Sequence, residues 1–173
     1  MKSISFIAPE LKRLEGVPAT ILVVFRFAEM RPLRGISSLV DWRLCGHLSR
    51  LVIDGFLTGA VEESLLMPLG GRLPQEYLLV LGIGERERFN EEAFHLGMKR
   101  MFKTIRGLNR VDIVVALPGR PEGACETTDA VDWFLSSFRE HGCEQDIRIL
   151  ETTGAQKTMA PAVERWRLRQ LVP

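Results

Sequence analysis

Two apolar runs without a polar face predict an α/β fold for this chain. They are Glu76–Ile83 (EYLLVLGI) and Val111–Gly119 (VDIVVALPG), and each is followed by a segment with helical periodicity. A strand that is apolar on both faces needs covering on both faces, the pattern of a central parallel strand. The third observation is the order of elements: strands alternate with helices, which calls for crossover connections. The expected architecture is a three-layer α/β/α sandwich around a mixed, mostly parallel sheet.

Taken in chain order, Ile4–Ile7 is a short strand. Ala19–Ala28 (ATILVVFRFA) is a stronger one, rich in β-branched residues and preceded by Gly16 and Pro18. Glu29–Ser37 reads as loop. Ser38–Asp54 reads as one helix, with Leu44, Leu48, Leu51 and Val52 on its apolar stripe and Arg43, His47, Arg50 and Asp54 opposite, stopped by Gly55. Ser64–Gly70 is a short strand ended by Pro68 and the Gly70–Gly71 pair. After Glu76–Ile83 the next helix starts at an Asn90 cap, with Glu91 and Glu92 at its positive dipole end. Its stripe is Phe94, Met98, Met101, Phe102 and Ile105. After Val111–Gly119, Thr127 or Thr128 caps a helix that buries Val131, Phe134, Leu135 and Phe138 and stops at Gly142. Asp146–Thr152 is the last strand. A terminal helix starts near Ala160, because Pro161 suits a first turn better than an interior.

The chain has 173 residues, which bounds it to one domain (1–173) with a core of ordinary size. A hydrophobic fraction of 46% and a charged fraction of 26% fit a globular protein. The formal net charge of +1 supplies no global field for nucleic acid or an anionic membrane. No apolar run approaches a membrane span, and the N-terminal apolar run is too short for a signal peptide. A cytoplasmic location is the expectation. Cys45, Cys125 and Cys143 are odd in number and irregularly spaced, which argues against a disulfide framework.

Four pieces in one order carry a family resemblance. They are the early strand ILVVFRF, the glycine-punctuated helix end LSRLVIDGFLTGAVEE, the short strand LLMPL, and the segment LLVLGIGERERFNEEAF. Together, over about Ala19–Gly119, the chain resembles the N-terminal domain of leucine (cytosol) aminopeptidases. The resemblance implies a macro-domain-like fold. It also implies a non-catalytic role, because the family's peptidase chemistry sits in a separate C-terminal domain with two metal ions. No NTDAEGR-like segment occurs here, so no catalytic or metal-binding residue corresponds to any position of this chain. In full-length relatives this domain helps assembly, and in some bacterial members it contributes to DNA binding.

The candidate ligand-binding residues are Gly82, Gly84 and Arg86 in one loop and Pro118, Gly119 and Arg120 in another. If their strands are parallel, both loops lie on the carboxyl edge, where open α/β sheets bind ligands. The Gly82-x-Gly84 turn has the context of a phosphate cradle, but the third glycine of a dinucleotide fingerprint falls on Glu87, and Glu85 and Glu87 repel phosphate. A structural turn is the favoured reading there. Arg120 is expected to be displayed on its loop. Asn90 and Asn109 are the only asparagines, and neither sits in the asparagine-rich loop of ADP-ribose binders.

Lys99, Lys103 and Arg106 form a candidate nucleic-acid face, which complementarity to the helix dipole explains equally without a partner. Asp41 and Asp54 are expected to be solvated or capping. Cys45 and His47 do not share a helix face, and neither a metal site nor a cofactor is expected. No catalytic residue is expected. The leading expectation is a non-catalytic assembly or ligand-binding module, a homo-oligomer or one docked on a partner protein such as a separately encoded peptidase. The alternatives are a small hydrolase or binder of a nucleotide or ADP-ribose-like ligand at the Gly82/Gly119 crevice, and a DNA-binding accessory protein.

Overall fold

The computed structural model describes residues 3–108, 112–142 and 146–170. Of the residues read above, Asn109, Val111 and Cys143 lie outside these. Strands β1 (Ile4–Ile7), β2 (Ala19–Arg26), β3 (Ser64–Pro68), β4 (Gln75–Gly82), β5 (Asp112–Val115) and β6 (Asp146–Leu150) form one sheet in the order β1-β6-β5-β2-β4-β3. Every neighbouring pair is parallel except β3–β4, which is antiparallel. The sheet is therefore mixed and mostly parallel.

Strand alternation sorts the core into two layers. On β2, Ile21, Val23 and Phe25 face α4 (Glu91–Gly107), α5 (Thr127–His141) and α6 (Thr153–Gln170). Leu22 and Val24 face α1 (Leu11–Glu15), α2 (Gly35–Arg43) and α3 (His47–Ile53). Both sides of β2, β4 and β5 are thus covered, as their unbroken apolar runs require. Each large side chain so buried contributes roughly 1.5–3 kcal/mol. On α4 the predicted stripe of Phe94, Met98, Met101, Phe102 and Ile105 is buried, and the Asn90 side chain accepts from Ala93 N at 3.0 Å.

Several expectations are corrected. The single helix over Ser38–Asp54 is two helices, and the first begins earlier, at Gly35. The break falls where Cys45 and Gly46 take φ of 54° and 76°, left-handed values that end α2. Asp41 then reaches across the break and accepts from Leu48 N (2.8 Å) and Ser49 N (3.2 Å), capping α3 from the preceding helix. Asp41 is buried, and its role is the capping one.

The terminal helix begins at Thr153, not near Ala160, and carries Pro161 inside it. Pro161 and Lys157 both lie on the exposed side, where water can take the carbonyl the proline leaves unbonded. The buried stripe Ala155, Met159, Ala162, Val163 and Trp166 runs unbroken past it. At α5 the cap position is Glu126, with no side-chain hydrogen bond, and Thr127 is already helical. The short helix α1 has no counterpart in the sequence reading.

The connectivity places a crevice. β2 leads into α2 on one face, while its neighbours β4 and β5 lead into α4 and α5 on the other. The loops part above β2, the position at which open α/β sheets form their ligand clefts.

Candidate functional site

The carboxyl ends of β2, β4, β5 and β6 bring together Phe27–Arg34, Gly82–Arg88, Leu117–Glu126 and Glu151. The two loops picked out by sequence therefore share one edge. Their residues are placed differently from one another.

Gly82 and Gly84 are held by another piece of the chain. A Cβ on Gly82 would stand 1.9 Å from Ala60 O, and one on Gly84 would stand 2.9 Å from a Val61 methyl. The segment 59–63 is hydrogen-bonded along this turn, with Gly84 N donating to Gly59 O (2.9 Å) and Gly82 N to Glu63 O (3.0 Å). These glycines admit a close approach of backbone. Gly119 has φ of 72°, and the Phe89 ring packs where its Cβ would be, at 2.5 Å. Pro118 O accepts a weak contact from the Cys125 thiol at 3.6 Å.

The arginines are committed to the chain itself. Arg86 is exposed, but its Nη2 donates to Glu122 O (2.9 Å) and its backbone N to the Glu29 carboxylate (2.7 Å). Arg120 is not displayed: its Nε donates to Glu151 Oε2 at 2.9 Å and its Nη1 to Cys125 O at 2.8 Å. The loop that carries it folds inward because Glu151 is a buried carboxylate that needs a cation. Glu151 is further fixed by Thr152 N, which donates to its other oxygen at 3.0 Å.

Two of the recesses on this edge border Arg86 and Arg120. One, of about 160 Å³, is rimmed by Glu29, Arg31, Arg34, Arg86 and Glu122. The other, of about 270 Å³, lies between Gly35, Ile36, Ala116, Pro121 and Leu150, with Arg120 and Glu151 in its wall. Burial pushes the Glu122 carboxyl up to about 7, against the pull of Arg86. Burial likewise pushes the Cys125 thiol up to about 11, so it is a poor thiolate despite nearby Arg120. Beneath the edge, the Arg26 guanidinium is buried, donates to Met30 O at 2.7 Å, and is lowered from its usual value first by burial and then by Arg31.

The nucleic-acid candidates Lys99, Lys103 and Arg106 lie exposed along α4. Their neighbour Arg100 turns away and donates to Gly82 O and Glu63 O, each at 2.7 Å. Among the described residues no three His, Cys, Asp or Glu side chains gather as metal ligands. No described helix is long and apolar enough to cross a membrane.

One constellation was missed by sequence reasoning. His95 Nδ1 lies 2.6 Å from Ser137 Oγ, and its Nε2 lies 3.4 Å from the Glu91 carboxylate. The order Ser–His–Glu is that of a hydrolytic triad. Ser137 is only 1% exposed, sealed between α4 and α5, so no substrate carbonyl reaches its Oγ. The bond joins two helices. Its partners are 42 residues apart in sequence, and no local spacing announces it.

Comparison with known proteins follows the same lines. Residues 21–137 match the cytosol aminopeptidase family, N-terminal domain. A probable cytosol aminopeptidase of Pseudomonas fluorescens is 31% identical over 158 residues, covering 83% of this chain and 32% of that protein. The chain spans about a quarter to a third of the length of the curated relatives first matched. Among solved structures, a tomato leucine aminopeptidase mutant superposes with a TM-score of 0.64 at 14% identity, over 96% of this chain and 36% of that one. A Trypanosoma brucei macrodomain in complex with ADP-ribose gives a TM-score of 0.67 at 15% identity, over 92% and 68%. The fold is macro-domain-like.

Proposed function

Because this chain belongs to the cytosol aminopeptidase family through its N-terminal domain, we propose that it is a non-catalytic assembly module. It binds a second copy of itself or a partner protein, a separately encoded peptidase being the partner its family suggests. The observation that carries this reading is a contrast. Arg86 and Arg120, the crevice arginines of the two glycine loops, are already used by the chain's own carbonyls and carboxylate. Among the described residues the most exposed large apolar side chains, Trp42 (66%), Ile53 (73%) and Phe56 (78%), all come from α2, α3 and the turn just after α3. Grouped apolar exposure marks interaction surfaces more often than scattered exposure does.

Sedimentation velocity across a wide concentration range tests it. The expected result is an associated species, or a stable complex with the peptidase domain of a relative, weakened by Ile53→Ser with Phe56→Ser. A monomer at every concentration that also ignores the peptidase domain would sink the proposal.

A second reading is favoured by the recess beside Ile36, Pro121 and Leu150. It sits on the carboxyl edge, where open α/β sheets bind ligands, and a macrodomain of similar fold forms a complex with ADP-ribose. Calorimetric titration with ADP-ribose is expected to give saturable heat if this reading holds, and no heat at millimolar ligand removes it.

A further inference from the structure

The groove between α5 and α6 carries three arginines and one carboxylate. It has a volume of about 300 Å³ and is lined by Asp132, Leu135 and Arg139 of α5 and by Arg165, Trp166 and Arg169 of α6. Leu135, Ala162 and Trp166 give it an apolar floor. The positions at 132, 135 and 139, and at 165 and 169, fall on one face of each helix.

Two features of this groove lack an internal explanation. First, Arg165 and Arg169 stand four apart on one helix, a like-charge spacing that destabilises an isolated helix, and Arg139 joins them across the groove. Complementarity to the helix dipole covers Arg139 and Arg169, which lie in the last turns. It does not cover Arg165. The nearest acidic residue on α6, Glu164, is held by Arg167 at 3.0 Å. Second, the Trp166 indole N–H has no acceptor, although Trp166 is only 8% exposed. Buried donors are nearly always paired, and an unpaired one is costly.

We propose that this groove binds a small multivalent oxyanion, a phosphate or a polycarboxylate. Guanidinium groups match both in planar, bidentate geometry, and the Trp166 indole, whose N–H is itself shielded from solvent, forms part of the groove's floor and reports binding there. An extended nucleic acid fits poorly. It needs a continuous basic track, whereas Asp132 lies within the groove, Glu164 flanks it, and the net charge is +1.

The test is an NMR titration of the nitrogen-15-labelled chain, reading the indole N–H resonances of its three tryptophans. Trp166→Phe assigns the third. Inorganic phosphate, pyrophosphate and citrate are the probes, with sodium chloride at matched ionic strength as control. The expected result is a saturable shift of the Trp166 resonance with pyrophosphate or citrate, and none with chloride. Whichever of the two saturates at lower concentration identifies the phosphate or the carboxylate source. Arg139→Gln and Arg165→Gln each weaken binding by about tenfold or more. Should Trp166→Phe fail to fold, calorimetry on those exposed-arginine variants reads the same affinities. A linear shift shared with chloride, affinity unchanged in both variants, or binding of oligonucleotides alone would overturn the proposal.

Discussion

A methyl group on Gly82 would stand 1.9 Å from Ala60 O and 2.6 Å from Gly59 C, both backbone atoms that cannot swing aside. Gly82→Ala is therefore expected to destabilise the fold by about 3 kcal/mol or more, read as a lowered midpoint in urea unfolding. Gly154 is the control, because its Cβ would meet nothing within 4 Å and it sits in the first turn of α6. Gly154→Ala is expected to stabilise by about 0.5 kcal/mol. Equal effects of the two substitutions would refute this account of Gly82.

Glu122 gives a pH dependence at the same scale. Its folded-state pKa is raised, to about 7, by burial. The folded state therefore favours the protonated form. Its stabilising contribution is full below the ordinary carboxylate range and is lost as pH rises through about 7. Relative to Glu122→Gln, the native chain should lose on the order of 1–2 kcal/mol between pH 4.5 and 7.5, allowing for solvent screening of a half-buried group. Parallel stability curves for the two proteins over that range would refute it.

At the scale of elements, α3 depends on a residue outside it. Asp41 lies on α2 yet accepts from Leu48 N and Ser49 N. Asp41→Ala should cost about 2 kcal/mol and speed hydrogen exchange in α3 before α4, measured residue by residue. The split between α2 and α3 was hidden in the sequence because Leu44 and Leu48 keep one helical stripe across the break. The unusual backbone at Cys45 leaves no composition signal. The long amphipathic α4 was readable down to its Asn90 cap, since cap, acidic first turn and apolar stripe all agree. Pro161 misled for a physical reason: a proline on the exposed side of a helix removes a bond that water can replace. The shared edge of the two glycine loops was legible from the strand order. The inward turn of Arg120 was not, because Glu151 lies 31 residues away.

Across the whole molecule, long-range polar ties join the loops of the crevice. The Arg120–Glu151 pair links the β5–α5 loop to the β6–α6 junction, with side chains 14% and 7% exposed. Arg86 links the β4–α4 loop to the β5–α5 loop through Glu122 O. A buried pair of this kind adds little net stability, but losing one member leaves an uncompensated charge. Glu151→Leu alone, like Arg120→Met alone, should therefore cost about 3–5 kcal/mol, while Arg120→Met with Glu151→Leu should recover most of that loss. Thermal unfolding of the wild type, both single variants and the double variant closes the cycle. If the double variant is as unstable as the single ones, the pair holds the edge together and is not merely compensated within it. If it recovers stability and association is also unchanged, the arginine-tied crevice is dispensable to the assembly proposed for the surface around Ile53 and Phe56.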